Sequence, residues 1–187
     1  MTTDAVWDTQ QAIRIVRSHA LEWGIDPQKI GVVGFSAGAE LAAAASLEYA
    51  AFDDAHSADD PLARFTSRPD FTGLVYPGPT PFETMESRKL AGPDHDQPEL
   101  MGSRLHGISE LVADQPPPVA PAIPNDAPPS FSTSAGIGDL IHAVWATEYF
   151  DAMLKAKVPN TEIHIYASGN HGGGLTVRPA ACCPLTA

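Results

Sequence analysis

The sequence predicts an α/β fold with a mainly parallel sheet and flanking helices, and three observations carry that prediction. Four short apolar runs of strand type alternate with helical patterns, the order that yields parallel strands joined by helical crossovers. The first run passes through Gly34-Phe35-Ser36-Ala37-Gly38 directly into an alanine-rich helix, a strand, sharp turn and helix with a serine at the turn. Asp139 follows the third run and His171 the fourth, and in a parallel sheet such positions gather along one edge.

Taken in order, residues 8–24 read as a helix. Ile13, Val16, Ala20 and Trp23 form one apolar stripe, Asp8 or Thr9 caps the start, and Gly24 is a natural stop. Asp26-Pro27 turns the chain into a strand over 30–35. The helix after Ser36 extends to about Tyr49, and its alanines allow a close approach to a sheet. Residues 52–70 are polar, with two Asp-Asp pairs and Pro61, and read as a surface loop. They lack the spaced oxygen ligands and glycine turn of a calcium loop. Residues 71–76 are the second strand, ended by Pro77.

Composition changes over 78–129, where most of the prolines fall, including Pro116-Pro117-Pro118. This stretch reads as an excursion above the strand ends, with one helix over 98–112 marked by Met101, Leu105, Ile108 and Val112. A third strand spans 130–135 and closes on Gly138-Asp139. A helix over 142–156 and a strand over 161–167 follow, with Ile163 and Ile165 alternating against His164 and Tyr166. The whole chain, 1–187, reads as a single domain.

Composition narrows the function. An apolar content of 43% with 18% charged residues is that of an ordinary globular protein. A formal net charge of −12 argues against nucleic acid or an anionic membrane surface as partner. No apolar run approaches a membrane span and the Met-Thr-Thr-Asp start has no leader character, so the expected compartment is the cytoplasm. The two cysteines are adjacent, Cys182-Cys183, and supply neither a disulfide framework nor a spaced metal-ligand pair.

A serine hydroxyl is a weak nucleophile that needs a base and an orienting acid. Ser36 on a strained turn, Asp139 and His171 occur in the chain order Ser, Asp, His, each after a successive strand. Gly34 and Gly38 are expected to keep side chains out of the close strand–helix approach. The other histidines have weaker claims: His19 and His142 fall on helices, His164 inside a strand, and His56, His95 and His106 in polar or proline-rich context. Asp151 lies mid-helix and is a poor rival to Asp139.

Residues 8–40 resemble the esterase/lipase branch of the α/β-hydrolases, nearest to acetylxylan- and feruloyl-esterase-like enzymes. Asp126-Ala-Pro-Pro129, the Gly138-Asp139 turn, the Lys155-Ala-Lys-Val-Pro linker and Ile163-His-Ile-Tyr166 with Gly-Asn-His171-Gly match the same family's later blocks. The resemblance implies a partial α/β-hydrolase fold with Ser36 as nucleophile, Asp139 as acid and His171 as base. It implies the Ala37 backbone N–H as one oxyanion donor. The second donor is expected from a His-Gly-Gly-Gly-type loop that would precede residue 1, so the chain resembles an N-terminally truncated member.

The expected function is a serine carboxylic-ester hydrolase for short acyl esters, needing no metal and no cofactor. Its rival is a catalytically weak or inactive hydrolase fold that serves as a binding or assembly module. Right-handed crossovers would put successive helices on one face of the sheet and leave the other face bare. A homodimer is the expected remedy; the alternative is that residues 78–125 fold back over the bare face, using Met101, Leu105, Ile108 and Val112.

Overall fold

A computed structural model describes residues 3–56, 60–91 and 120–172. The elements are α1 (Thr3–Ser18), β1 (Gly31–Phe35), α2 (Ala37–Leu47), α3 (Tyr49–Ala55), β2 (Phe71–Val75), α4 (Met85–Ala91), β3 (Ser130–Ile137), α5 (Leu140–Lys155) and β4 (Glu162–Ser168). The strands form one sheet in the order β1-β2-β3-β4, and every pair is parallel. All strands therefore end on the same edge, which sets where their following loops meet.

Strand register sorts the side chains onto two faces, because successive residues point to opposite sides. Gly34, Leu74, Ser132 and Ile163 stand in one row across the sheet, and Val33, Gly73, Phe131 and Glu162 stand in the next. The first row faces the helices. Ala39, Ala42, Ala43 and Leu47 of α2 meet Leu74, and Tyr149 and Met153 of α5 complete the same buried cluster. Both crossover helices thus lie on one face, as right-handed connections require. The alanines explain how close α2 comes. A Cβ on Gly34 would stand 1.9 Å from the Gly38 carbonyl oxygen, so no larger residue fits there.

The opposite face is uncovered among the described residues. Val33, Phe71, Phe131 and Tyr166 remain 45–56% exposed on it, and Val33, Phe71, Val75 and Phe131 line a shallow groove. No helix among the described residues is long and apolar enough to cross a membrane.

Three expectations need correction. The first helix ends at Ser18, and residues 19–24 form a separate turn. Gly24, at φ +68°, closes that turn while the Ile25 N–H donates to the Ala20 carbonyl at 2.8 Å. Trp23 consequently leaves the stripe and stacks, half exposed, on His19.

The polar stretch from 52 is not simply a loop, because α3 continues to Ala55 with Phe52 buried. Two of its acidic residues, Asp53 and Asp60, serve a buried cation. Arg14, fully buried on α1, binds Asp53 at 2.8 Å and Asp60 at 2.9 Å and lies over the Phe52 ring. A desolvated guanidinium needs such partners. Within the excursion, α4 is a helix that the proline-rich composition did not signal. The helix expected over 98–112 lies outside the described residues.

Candidate active site

The site is assembled where β1, β3 and β4 end. Ser36 joins β1 to α2 with φ +53° and ψ −125°, a backbone conformation that L-residues rarely adopt. Holding it there costs on the order of 1–3 kcal/mol. The cost is offset by neighbours that fix the turn: the Ser36 N–H donates to the Val75 carbonyl at 3.0 Å, and Gly34 permits α2 to start immediately above the strand. Ser36 occupies the N-cap position of α2 but makes no side-chain cap. Its Oγ lies instead 2.9 Å from Nε2 of His171.

Asp139 follows β3 and occupies the N-cap position of α5, again without a side-chain cap bond. Its carboxylate is buried and divided between two imidazoles: Oδ2 is 3.2 Å from Nδ1 of His171, and Oδ1 is 2.6 Å from Nδ1 of His142. Burial alone would raise its pKa. The hydrogen bonds from His142 and His171, with the attraction of the two rings, outweigh that and hold the carboxyl below the usual range.

His171 follows β4 in a loop locked to the one that bears Asp139. The Gly169 N–H donates to the Ile137 carbonyl at 2.9 Å. Gly138, at φ +96°, packs so tightly that a Cβ there would lie 2.5 Å from the Gly169 carbonyl oxygen. Three side chains singled out from the sequence are therefore brought together. If Nδ1 of His171 donates to Asp139, Nε2 is left as an acceptor facing the Ser36 hydroxyl. That arrangement moves a proton off a serine.

Ala37 opens α2. Its N–H belongs to the first helical turn, whose N–H groups have no partner within the helix and carry the positive end of the dipole. Gly38 differs from expectation: a Cβ there would meet nothing within 4 Å, so the close approach rests on Gly34 alone.

Two residues of the site were not found from the sequence. His142 was set aside as a helix residue. In the structure it stacks on His171 with ring centroids 3.9 Å apart and takes the second oxygen of Asp139. The signal that marks it is spacing: three residues beyond an N-cap, a side chain reaches back to the cap, as in a capping box. Tyr76, just past β2 at φ +39°, sets its ring at a steep angle to His171, centroids 4.8 Å apart. A strand reading that ends at Pro77 gives no hint of that strain. Among the described residues, Asp139, His142 and His171 form the group able to hold a metal ion, with ligating atoms within 4.8 Å of one another.

Comparison with known proteins agrees with this architecture. The chain is 28% identical to an acetylxylan esterase of Xylanibacter ruminicola, over 92% of its own length and 32% of that protein's. A solved acetyl ester-xyloside bifunctional hydrolase from Caldicellulosiruptor lactoaceticus superposes with a TM-score of 0.63 at 28% identity, over 91% of this chain and 57% of that one. A putative carboxylesterase from Lactobacillus plantarum gives 0.57 at 28% identity, over 89% and 57%. The chain therefore spans about a third of the curated relative and somewhat more than half of the solved structures. The fold is that of the α/β-hydrolases, in part. The BD-FAE family model matches residues 1–131, well over half of the chain, and the protein belongs to the BD-FAE family.

Proposed function

We propose that the chain is a serine carboxylic-ester hydrolase that cleaves short acyl esters through an acyl-serine intermediate. The observation that carries this reading is the unbroken series Ser36 Oγ, His171 Nε2, His171 Nδ1 and Asp139 Oδ2, with contacts of 2.9 and 3.2 Å. In the first half-reaction, Ser36 Oγ attacks the ester carbonyl and its proton passes to Nε2 of His171. Asp139 holds the imidazole in the required tautomer and stabilises the imidazolium. The oxyanion forms beside the Ala37 N–H. His171 then protonates the departing alkoxide, and in the second half-reaction it activates the water that releases the acid. The relatives named as acetylxylan esterase and acetyl ester-xyloside hydrolase favour acetylated carbohydrate as the substrate class.

A fluorophosphonate label combined with p-nitrophenyl acetate turnover tests the reading. Labelling at Ser36 together with hydrolysis supports it. Hydrolysis that survives Ser36→Ala in purified protein would remove Ser36 from the nucleophile role.

A second reading is favoured by one further observation, the uncovered row of Val33, Phe71, Phe131 and Tyr166. Such a surface supports an assembly role, and its simplest form is a homodimer in which two bare faces pair about a two-fold axis. Within one chain, the proposed organisation is a single domain. Light scattering at micromolar concentration decides the assembly: a clean monomer of 19.8 kDa would overturn the dimer.

A further inference from the structure

The proposed reaction uses one oxygen of Asp139 and one histidine, and leaves His142 unexplained. Yet His142 is held more closely than His171. Its Nδ1 sits 2.6 Å from Oδ1 of Asp139, and its ring lies 3.9 Å from that of His171 at an interplanar angle of 26°. Two imidazole Nδ1 atoms thus converge on one buried carboxylate from adjacent, nearly parallel rings.

The geometry points to an inhibitory zinc site formed by Asp139, His142 and Nδ1 of His171, an inference that rests on the esterase reading above. Zinc takes imidazole nitrogen and carboxylate oxygen at about 2.0–2.2 Å in tetrahedral array, which separates neighbouring ligand atoms by about 3.4 Å. The nitrogen–oxygen contacts here are 2.6 and 3.2 Å. The three ligating atoms lie within 4.8 Å of one another, so an ion opens the nitrogen–oxygen contacts, draws the widest pair in by about 1 Å, and turns the two stacked rings to bring both Nδ1 lone pairs onto it. Water completes the fourth position. The N-terminal dipole of α5 opposes a cation at this place, and the full charge of the Asp139 carboxylate opposes the dipole in turn.

The inhibition follows from where the protons go. Each neutral imidazole binds the ion through Nδ1, so its single ring proton must lie on Nε2. For His171 this reverses the contact with Ser36: Nε2 becomes a donor to Oγ and has no lone pair to accept the serine proton. The ion also occupies the Asp139 carboxylate that would stabilise an imidazolium. Bound zinc therefore stops catalysis without touching Ser36 and without any bond being made or broken in substrate.

The test uses the full chain with Cys182→Ser and Cys183→Ser, which removes the two thiols as competing ligands. Zinc chloride is titrated by calorimetry into this protein, into its Ser36→Ala form and into its His142→Gln form, with far-UV circular dichroism on each. Expected is one zinc bound per chain, with equal affinity in the Ser36→Ala form, and loss of p-nitrophenyl acetate turnover over the same zinc range. His142→Gln should weaken zinc binding by about tenfold or more, and should raise by the same factor the zinc concentration that halves hydrolysis relative to that variant's own zinc-free rate. His142→Ala serves as a second variant if His142→Gln does not fold. The inference falls if the His142 variants bind zinc and lose activity as the parent does, or if neither the parent nor the Ser36→Ala form binds zinc. Absence of hydrolysis in the zinc-free parent would refute the esterase reading instead, and calorimetry would still decide the site.

Discussion

The two faces of the sheet differ in an unexpected direction. The face under the helices is small or polar at its centre, with Gly34, Thr72, Ser130, Ser132 and Ser134, and its larger residues are the aliphatic Val32, Leu74, Ile163 and Ile165. The uncovered face holds the bulk: Val33, Phe71, Phe131 and Tyr166. Small side chains bring α2 and α5 close to the sheet, so burial on that side comes from backbone proximity and from Tyr149, Trp145 and Met153 on the helix. Large apolar side chains left in water stabilise nothing until something covers them. One face therefore sets the site's geometry, and the other is, among the described residues, left without a partner layer.

The largest expected contrast is chemical. Ser36→Ala should lower ester hydrolysis by about 10⁴-fold or more while leaving the circular dichroism spectrum unchanged. Phe131→Ser, on the uncovered face, should leave turnover near the parent value in dilute protein. Turnover that falls with Phe131→Ser would show that the uncovered face supports the site.

In stability the same contrast should appear at smaller scale. Leu74→Ala is expected to cost about 2–5 kcal/mol in urea unfolding, because it empties a fully buried position. Phe131→Ala should cost less than about 1 kcal/mol in dilute monomer. A cost at Phe131 that grows with protein concentration would sharpen the comparison, since it would place this side chain in a dimer interface.

Glycine substitutions divide the covered side itself. Gly34→Ala forces a Cβ against the Gly38 carbonyl oxygen and should reduce both thermal stability and hydrolysis. Gly38→Ala enters open space and should leave the melting temperature nearly unchanged. Equal effects at the two positions would contradict the packing described.

The smallest effects are electrostatic. The Asp139 carboxyl has a folded pKa below its unfolded value of about 3.9. Its contribution to stability is therefore present above that value and is lost as pH falls through the lower folded one. Burial pushes the Tyr149 phenol up to about 12. Its contribution is complete below the unfolded value of about 10 and is lost as pH rises through 12. Urea midpoints measured across both ranges, with Asp139→Asn and Tyr149→Phe as controls, check each arm.

Much of this was legible in the sequence, for a physical reason. Ser36, Asp139 and His171 each follow an apolar run that ends in glycine-rich or turn-forming residues, and a parallel sheet brings such positions to one edge. The alternation of strand and helix was equally readable. His142 was not, because helical periodicity assigns a face and says nothing about a side chain that reaches back to its own cap. The Arg14 pairs were not, since Asp53 and Asp60 lie 39 and 46 residues away and ion pairs leave no periodic trace. The bulk of the bare face was visible at β1 but not at β2 and β3, where Phe71 and Phe131 stand at or next to the strand start and read equally well as core.

The Ser36–His171 hydrogen bond spans 135 residues of chain. Strand order follows chain order, and β4, which His171 follows, pairs with β3 at the far edge of the sheet from Ser36. Contacts of such long range close late, because chain must be ordered before they return any stabilisation. The proposed nucleophile thus gains its proposed base late, and during synthesis Ser36 leaves the ribosome before His171 has been made. On the proposed mechanism, the recovery of hydrolysis after dilution from denaturant times the closing of this one contact.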